Sequence, residues 1–376
     1  MYIREDGKEK GMNQFYPKWV AGTMSGTSLD GVEAATLLTD GNKIYDFGEK
    51  RYQAYSVIER EILHKALGKW PGDDLAEAEE IVQTAHIGIL DKIANAELAG
   101  FHGQTLAHDP KGLGTHQLGN GKALADLVGL PVVWDFRAND LKNGGEGAPL
   151  APFFHFACAK WMGAGKPLAF LNLGGVGNIT WIDPEREQPD DEGALLAFDT
   201  GPANAPINDL LKARANRDYD HNGDLASAGN VNRKAVAKFS ADPYFELPPP
   251  KSLDRDHFSY LPSLVSDLET ADAAATLTAI CCHAVLRGIG HCPSLPSRIL
   301  VAGGGRNNAF LMSMLSSMMD VPVIRIDDVN LDGDYLEAQA FAFLAARSIR
   351  GMTISCPGTT GVKKAVTGGI LSTPDS

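Results

Sequence analysis

Residues 198–205, with the sequence FDTGPANA, include the side chain best suited to catalysis. An apolar run predicts a strand that ends just before Asp199, and helical spacing begins at Asn204 with a proline that a first helical turn tolerates. A carboxylate between a strand and a helix N-terminus is well placed for chemistry in an α/β fold. Asp199 can therefore act as a general base, with Thr200 and Gly201 touching phosphates. The simpler alternative is that Asp199 only caps the helix.

Glycines and hydroxyl residues cluster at residues 22–31, with the sequence GTMSGTSLDG, between two predicted strands. Gly26 can take a positive φ, so that successive backbone N–H groups point at one place and suit a phosphate chain. Asp30 can hold Mg²⁺, directly or through water. Additional hydroxyl donors are Ser25, Thr27 and Ser28. The alternative is a plain β-hairpin, because small polar residues are common in turns.

Three consecutive glycines, Gly303, Gly304 and Gly305, lie between another predicted strand and helix. They allow the backbone to approach a flat ligand such as adenosine. A dinucleotide-binding fingerprint does not fit, because Asn308 stands where its last glycine should be. No glycine–lysine pair is followed by Ser or Thr, which argues against a P-loop enzyme. A GxSxG nucleophile motif and a Cys/His cluster with metal-ligand spacing are also absent from the sequence.

Other polar clusters lie between these loops: HGQT at 102–105, DFR at 135–137, GGEGAP at 144–149 and GDYLEA at 333–338. Each also has a structural interpretation. A lone histidine such as His102 is more often a hydrogen-bonded structural residue than a catalytic one. Asp334 can cap a helix, and Glu337 three residues later would complete a capping box.

The predicted elements follow the same order twice. In the first half we expect strands at 19–23, 31–38 and 43–54, helices at 57–67 and 75–98, a short strand leading into HGQT, a helix at 121–128 and a strand at 131–134. In the second half we expect strands at 167–172, 178–182 and 194–198, then helix 270–288, strand 298–302, helix 307–319, strand 321–326 and helix 335–348. A glycine-rich turn follows the first strand of each half. The pattern predicts an α/β fold of two similar halves with a ligand cleft between them.

Composition limits the functional class. The chain has 376 residues, enough for two lobes, and a formal net charge of −13, which speaks against a nucleic-acid-binding protein. A phosphate site must therefore rely on backbone N–H groups, helix N-termini and Mg²⁺. The five cysteines have irregular spacing, which predicts free thiols. Because no apolar stretch approaches a membrane span and residues 1–13 lack the core of a secretory signal, we expect a cytoplasmic protein.

Taken together, these segments resemble the anhydro-N-acetylmuramic acid kinase family. The matching pieces run in family order: MSGTSLDGV at 24–32, HGQT at 102–105, DFR at 135–137, GGEGAPLAP at 144–152, NLGGVGNIT at 172–180, DTGPAN at 199–204, DPY at 242–244, PPPKS at 248–252, AGGGRNN at 302–308 and GDYLEA at 333–338. They cover about residues 18 to 372. MSGTSLDG is highly specific, and the ordered set is more so.

The resemblance implies a fold and a domain arrangement. The family belongs to the actin/hexokinase/Hsp70-like superfamily, so we expect a two-lobed actin-like ATPase fold of duplicated ribonuclease-H-like domains with a central ATP/sugar cleft. Residues 1–16 would be a flexible tail, 17–150 lobe I and 151–334 lobe II. Residues 335–376 would form a C-terminal helix and tail that return to the cleft and lobe I.

The resemblance also assigns ligands to the loops. The first phosphate loop comprises Ser25, Gly26, Thr27, Ser28, Leu29, Asp30 and Gly31. Other contacts to ATP come from Thr200, Gly201 and Asn204 in a second phosphate loop and from Gly303, Gly304 and Gly305 in an adenosine loop. Asp199 matches the catalytic aspartate of the family. The sugar side is lined by His102, Gln104, Arg137 and Glu337. ATP and Mg²⁺ are the implied cofactors, and the Mg²⁺ ligands stay unassigned.

Family members open the anhydro bridge of 1,6-anhydro-N-acetylmuramic acid with water and phosphorylate the freed O6 from ATP, in cell-wall recycling. This sequence departs from the family pattern at Ala203, where glycine is usual, and at Glu146, where glutamine is common. Two alternatives remain open: another sugar kinase of the superfamily, and a non-catalytic nucleotide-binding protein that clamps a partner. The sequence also leaves the oligomeric state open, a homodimer included.

Overall fold

The computed structural model describes residues 16–253 and 257–375 of the chain. The predicted N-terminal tail, residues 1–16, therefore lies almost wholly outside the described residues. Within the described part, the strands form two sheets with helices packed on them. This is the α/β organisation that the sequence predicts.

The first sheet is built from the N-terminal strands and one C-terminal strand. Its strands are β1 Lys18–Ser25, β2 Gly31–Thr39, β3 Ile44–Ala54, β4 Leu98–Asp109, β5 Gly114–Leu118, β6 Val132–Trp134 and β12 Ile370–Ser372. Their order is β12-β6-β4-β1-β2-β3, with β5 paired to β4. β1, β2 and β3 pair antiparallel, whereas β4 runs parallel to both β1 and β6.

The second sheet repeats this arrangement. Its strands are β7 Leu168–Leu173, β8 Val176–Ile182, β9 Leu195–Pro202, β10 Ile299–Ala302 and β11 Val323–Arg325, in the order β11-β10-β7-β8-β9. β7, β8 and β9 pair antiparallel, and β10 runs parallel to both β7 and β11. When β5, which pairs only with β4, is left out of the count and each sheet is numbered from its own first strand, each sheet contains the order 3-2-1-4-5 with the same strand directions. The predicted duplication of an α/β domain, as in the actin-like fold, is confirmed by this topology.

The helices lie between and after these strands. They are α1 Val57–Ala66, α2 Ala76–Leu90, α3 Gly121–Val128, α4 Ala138–Lys142, α5 Pro152–Trp161, α6 Ala205–Ala215, α7 Asp224–Ser227, α8 Arg233–Ser240, α9 Leu261–Leu264, α10 Thr270–Ile289, α11 Ala309–Met318, α12 Leu336–Ile349 and α13 Pro357–Thr360. Short 3₁₀ turns occur at His221–Gly223, Pro243–Glu246, Gly304–Asn307 and Ile326–Val329.

The prediction of one helix over residues 75–98 is wrong in its last turns. The helix ends at Leu90, Asn95 takes a left-handed φ of 63°, and Leu98 already belongs to β4. β4 is a central strand, buried between β1 and β6. Because a short apolar run looks the same in a buried strand and in a buried helix, periodicity alone did not separate the two.

α12 rests directly on the first sheet. A Cβ atom added to Gly22 of β1 would lie 1.9 Å from the carbonyl oxygen of Ala338, and one added to Gly100 of β4 would lie 2.2 Å from that of Phe341. Glycine at these two positions therefore allows the helix backbone to contact the strands. This packing brings the first turn of α12, with Glu337, next to the carboxyl end of β1.

One core joins the two sheets. It includes Val20 of the first sheet, Phe170 of the second, and Phe154 and Phe343 from α5 and α12. The rings of Phe154 and Phe343 lie 5.8 Å apart. α10 is long and apolar enough to cross a membrane by length and composition, but 78% of its most apolar stretch is buried. This degree of burial is typical of a helix in the core of a folded domain.

Candidate active site

Asp199 lies inside strand β9, and the backbone around it is held from several sides. Its carboxylate Oδ2 accepts a hydrogen bond from the Leu253 N–H (2.8 Å). Its own N–H donates to the carbonyl of Lys251 (3.0 Å), and its carbonyl accepts from the Tyr244 hydroxyl (2.6 Å). The N-cap of α6 is Asn204. The alternative that Asp199 is only the N-cap of this helix is therefore wrong.

The electrostatic surroundings of Asp199 suit a general base. Burial raises the pKa of Asp199 to about 6, the Leu253 N–H lowers it, and the charge of Glu146 raises it. A carboxylate with this pKa is ionised at neutral pH and accepts a proton more readily than an exposed aspartate. Glu146 lines a small cavity with Pro250 and Thr360, next to the segment that holds Asp199.

Thr200 and Gly201 both lie against α10. The Thr200 side chain is buried, and its hydroxyl has no hydrogen-bond partner among the described residues. A Cβ atom added to Gly288 of α10 would lie 2.7 Å from the Thr200 methyl group. Gly201 has a φ of 146° and faces Ala284 of the same helix, 2.8 Å from an added Cβ. The Thr200 side chain therefore packs under the sheet, against α10.

Asn204 and the three glycines meet at one place. The Asn204 side-chain amide donates to the carbonyl of Leu173 (2.8 Å). A Cβ added to Gly305 would lie 2.6 Å from Leu173 and 3.2 Å from the Asn204 amide nitrogen. Gly303, with a φ of 73°, would place a Cβ 2.2 Å from Asn172. The tertiary structure therefore brings residues 172–173, Asn204 and the glycine loop together.

The turn between β7 and β8 was missed as a site element. In the duplicated topology it occupies the position that residues 25–31 occupy between β1 and β2. Gly174 and Gly175 form this turn, and their carbonyls accept the N–H groups of Asn204 (2.9 Å) and Ala203 (3.0 Å). The sequence showed a glycine-rich turn after the first strand of each half. That repeat is the sequence signal that could have identified this turn as the counterpart of the first loop.

Two predicted ligand residues hold the first loop in shape. The Ser25 hydroxyl donates to the Gln104 side-chain oxygen (2.5 Å) and lies 3.1 Å from the Tyr55 hydroxyl. The Gln104 amide donates to the carbonyl of Gly26 (3.2 Å). Ser25 and Gln104 are both buried. Their side chains thus connect the loop to β4.

The tip of the first loop is open to solvent. Leu29 is buried with a φ of 58° and donates its N–H to the carbonyl of Gly26 (3.1 Å), which closes the turn. A Cβ at Gly31 would lie 2.3 Å from the carbonyl oxygen of Gln53 on β3, so this position needs glycine. The side chains exposed on the loop are Thr27, Ser28 and Asp30. Asp30 forms an exposed ion pair with Arg60 at 3.4 Å.

His102 and Arg137 form a buried pair. Arg137 donates from Nε (3.1 Å) and from Nη2 (2.9 Å) to Nε2 of His102, and its Nη1 donates to the carbonyl of Gly147 (2.7 Å). Nδ1 of His102 lies 2.9 Å from the carbonyl of Gly103 and donates to it. Burial, and then the Arg137 charge, hold the pKa of His102 well below its usual value. A neutral histidine with both nitrogens engaged orients Arg137 and is poorly suited to proton transfer.

Asp140 holds the segment that carries Glu146 and Gly147. It is 1% exposed and was not recognised from the sequence. Its carboxylate accepts the Gly147 N–H (2.7 Å) and the hydroxyls of Ser355 (2.5 Å) and Thr360 (2.6 Å). A buried carboxylate with three donors is fully compensated. It therefore fixes the Gly147 carbonyl that accepts from Arg137.

Glu337 faces the same region from the first turn of α12. Its side chain is exposed to solvent. The pKa of Glu337 is raised, because desolvation by the surrounding protein atoms outweighs the lowering effect of the Arg137 charge. Glu337 lines a cavity of about 460 Å³ together with Gly26, Ser28 and Asp30 of the first loop. The cavity joins predicted nucleotide-side and sugar-side residues.

Glu33 lines the same cavity and was not predicted. Burial and the charges of Glu337, Asp334 and Asp332 together raise its pKa to about 8, although the Arg306 charge lowers it. No group of three or more acidic, histidine or cysteine residues in the described part of the chain is placed to hold a metal ion alone.

Asp334 is not the N-cap of α12, so the capping-box interpretation is wrong. The N-cap position is Tyr335, without a side-chain cap. Asp334 instead accepts from Arg306 (2.6 Å), which also donates to Asp327 (2.9 Å) and to the carbonyl of Gly303 (3.0 Å). Arg306 is 4% exposed. It connects the glycine loop to the segment that precedes Glu337.

Two solved structures share parts of this architecture at low similarity. The activator of 2-hydroxyisocaproyl-CoA dehydratase from Clostridium difficile with bound ADPNP is 10% identical, covers 88% of this chain and 96% of its own, and has a TM-score of 0.47. A ROK family glucokinase from Streptomyces griseus in complex with glucose and AMPPNP is 13% identical, covers 88% and 99%, and has a TM-score of 0.39.

Sequence relatives are much closer. The family described as anhydro-N-acetylmuramic acid kinase matches residues 18–373. The anhydro-N-acetylmuramic acid kinase of Ruegeria sp. (strain TM1040) is 56% identical over 359 residues, which are 96% of this chain and 96% of that protein. That of Cereibacter sphaeroides is also 56% identical, over 95% of this chain and 97% of its own. The chain therefore belongs to the anhydro-N-acetylmuramic acid kinase family.

Proposed function

We propose that this protein uses ATP to convert 1,6-anhydro-N-acetylmuramic acid and water into N-acetylmuramic acid 6-phosphate and ADP, as a step of peptidoglycan recycling. The observation that carries the proposal is the half-buried, hydrogen-bonded carboxylate of Asp199, in a chain of the anhydro-N-acetylmuramic acid kinase family. Family membership supplies the substrate class. Asp199 supplies the base that the reaction requires.

Asp199 acts as the general base in this proposal. It takes a proton from water while the water oxygen forms a bond to the anomeric carbon of the sugar. The bond between that carbon and O6 breaks, and O6 then attacks the γ-phosphorus of ATP as ADP leaves. The Asp199 pKa of about 6 favours this role, because the carboxylate is ionised at pH 7 yet basic enough to share the proton in the transition state.

We assign the ATP contacts to loops from both sheets. Ser25, Gly26, Thr27, Ser28, Leu29, Asp30 and Gly31 form the first phosphate loop, in which the exposed hydroxyls and backbone N–H groups face the phosphates. Thr200, Gly201 and Asn204 form the second phosphate loop, to which Thr200 and Gly201 add backbone groups. Gly303, Gly304 and Gly305 form the adenosine loop. The close packing of Gly303 and Gly305 on residues 172–173 supports this assignment. We add the turn at Gly174 and Gly175, by analogy with the first loop.

Mg²⁺ suits this loop arrangement. Mg²⁺ usually takes one or two carboxylates together with waters and substrate phosphates. Asp30, exposed beside the first loop, and Glu33, in the same cavity, are the carboxylates that would hold it. When bound, Mg²⁺ neutralises developing charge on the phosphates.

His102, Gln104, Arg137 and Glu337 line the sugar side in this proposal. The Arg137 guanidinium is the natural partner of the lactyl carboxylate of the sugar, since it is held rigidly by His102 and Gly147. Gln104 acts indirectly, because its side chain is already bonded to Ser25 and Gly26. Glu337 then faces the sugar hydroxyls from α12.

We place the two lobes at residues 17–150 and 151–334, with 335–376 returning to lobe I. The packing of α12 on β1 and β4 supports that return. The net charge of −13 agrees with small-molecule substrates and no nucleic-acid partner. We infer a cytoplasmic enzyme without a membrane partner, and a homodimer remains compatible with the proposal.

The test incubates the purified protein with ATP, Mg²⁺ and 1,6-anhydro-N-acetylmuramic acid and follows ADP release. We expect ADP only when the sugar is present, together with the mass of N-acetylmuramic acid 6-phosphate. Asp199→Asn should lower kcat by at least about 10³-fold, because the base is lost. The matched control is Asp91→Asn, at an exposed position after α2, which should keep wild-type kcat. ATP binding without sugar-dependent ADP release would refute the substrate assignment.

A further inference from the structure

Two sequence motifs have no role in the proposed reaction, and both contact Asp199. They are DPY at 242–244 and PPPKS at 248–252. We propose that Tyr244 and Lys251 are positioning residues that hold Asp199 in its working orientation, an inference that rests on the proposed function. We call Tyr244, Lys251 and Leu253 the Asp199 clamp.

The clamp contacts Asp199 at three atoms. The Tyr244 hydroxyl donates to the Asp199 carbonyl (2.6 Å), and the Lys251 carbonyl accepts the Asp199 N–H (3.0 Å). Both bonds fix the backbone of Asp199 within β9. The Leu253 N–H donates to the carboxylate itself (2.8 Å). The strand backbone and the side chain are thus held by one short segment and one tyrosine.

Tyr244 and Lys251 also brace each other. The Lys251 ammonium donates to the carbonyl of Tyr244 (2.9 Å) and lies 4.5 Å from the centre of its ring. Lys251 is only 9% exposed, and burial lowers its pKa to about 8. Burying an ammonium is costly unless it is compensated. Its contacts join residues 244 and 251, so that removing the charge should loosen the segment that carries Leu253.

The Tyr244 ring belongs to an aromatic cluster whose other members are not hydrogen-bonded to Asp199. Asp242 accepts the Tyr244 N–H (2.9 Å) and the Tyr260 hydroxyl (2.9 Å). Phe245 and Phe258 pack against the Tyr244 ring at 5.7 Å each. Tyr260 therefore offers a matched control. Its hydroxyl bonds in the same cluster but is directed to Asp242 rather than to Asp199.

Other charges near the clamp must be considered in a pH experiment. Glu146 raises the pKa of Asp199 and of Tyr244. Arg287 lowers the pKa of Lys251, and Glu246 raises it. Glu146, Arg287 and Glu246 are unchanged in the variants below. Lys251→Met itself removes a positive charge, whereas Tyr244→Phe removes only a hydroxyl. A shift of the Asp199 titration in Tyr244→Phe therefore reports on the hydrogen bonds of Asp199.

The experiment compares Tyr244→Phe and Lys251→Met with Tyr260→Phe in the full chain. Tyr244→Phe keeps the ring and removes one hydroxyl, and Lys251→Met keeps the length of the stem. The Asp199 titration is followed by NMR with carboxyl-¹³C aspartate, its signal identified by its loss in Asp199→Asn. Steady-state kcat, both KM values and the Tm are measured on the same samples.

We expect both clamp variants to raise the pKa of Asp199 by about half a unit or more, because a weaker Leu253 N–H bond stabilises the carboxylate less. We expect kcat to fall about tenfold or more, with both KM values within twofold of wild type, because misplacing the base costs the chemical step. Tyr260→Phe should leave the Asp199 pKa and kcat unchanged, even where it lowers the Tm.

Two results would overturn the inference. An unchanged Asp199 titration in both clamp variants shows that they do not control the carboxylate. A shifted titration with unchanged kcat shows that the clamp does not serve the reaction. A wild-type protein that is inactive with the sugar refutes the proposed function instead. In that case an unchanged titration still refutes the clamp, and a shifted one supports its hold on Asp199.

Discussion

The turn after β1 and the turn after β7 occupy equivalent places in the duplicated topology but differ in chemistry. The first presents exposed hydroxyl and carboxylate side chains at Thr27, Ser28 and Asp30. The second is made of Gly174 and Gly175, whose carbonyls accept backbone N–H groups. The first sheet therefore offers polar side chains to a ligand, whereas the second offers closely packed backbone. The shared topology determines where the two turns lie, and their different residues determine which groups each turn can present to a ligand.

The largest expected effect is a loss of stability on substitution of Gly303, in the glycine loop that follows β10 of the second sheet. Gly303→Ala places a Cβ 2.2 Å from Asn172 at a φ of 73°, and should lower the free energy of unfolding by roughly 3 kcal/mol. Gly304→Ala is the neighbouring control, because its Cβ would lie 4.0 Å from the nearest atom. Gly26→Ala in the first loop would meet only Ser28, at 3.7 Å.

Thermal unfolding checks this prediction. Gly303→Ala should lose several degrees of Tm, and Gly304→Ala and Gly26→Ala should lose much less. Equal losses at Gly303 and Gly26 would show that the first loop is packed as closely as the glycine loop of the second sheet, which would contradict the difference between the two sheets.

A second prediction compares two carboxylates, half-buried Asp199 in β9 and exposed Asp30 in the first loop. The folded-state pKa of Asp199, about 6, lies above the ordinary aspartate value of 3.8. The wild type therefore loses stability as the pH rises from about 4 to about 6, because the unfolded chain gives up this proton first. Asp199→Asn should be more stable than wild type by about 2 kcal/mol at pH 8, with the gain lost near pH 4.

Urea unfolding of the wild type and the variant at several pH values measures this difference. Asp30→Asn is the control, and its exposed position predicts a stability within about 0.5 kcal/mol of wild type. A gain for Asp199→Asn that does not depend on pH would contradict the assignment of its raised pKa to burial.

The smallest expected effect concerns the hydroxyls. Thr200→Val removes a buried hydroxyl without a partner among the described residues, so its stability should stay the same or rise by about 1 kcal/mol. Its KM for ATP should stay within twofold of wild type. Ser28→Ala, on the exposed loop, should raise the KM for ATP several-fold without changing the Tm.

Steady-state kinetics at saturating sugar separates these two roles. A large rise in the KM for ATP in Thr200→Val would mean that its side chain reaches the nucleotide after lobe movement. That outcome would remove the contrast between side-chain and backbone contacts in the two sheets.

The sequence alone determined much about this protein, because its signals are local. Alternating strands and helices predicted the α/β class, and the glycine turn after the first strand of each half predicted the duplication. The loops at 25–31 and 303–305 could be named from residue type and spacing. Asp199 could be named as the candidate base from its position between a strand and a helix.

Tertiary structure alone decided how these groups are held, because the partners are distant in the chain. Asp199 is fixed by Tyr244, 45 residues further along, and by Leu253, 54 residues further along. Local rules predict that Asp334 caps a helix, but in the structure its carboxylate accepts a hydrogen bond from Arg306. The end of α2 was also decided by packing, since β4 had to pair between β1 and β6. Local patterns record the preferences of neighbouring residues, whereas these contacts depend on which segments pack together.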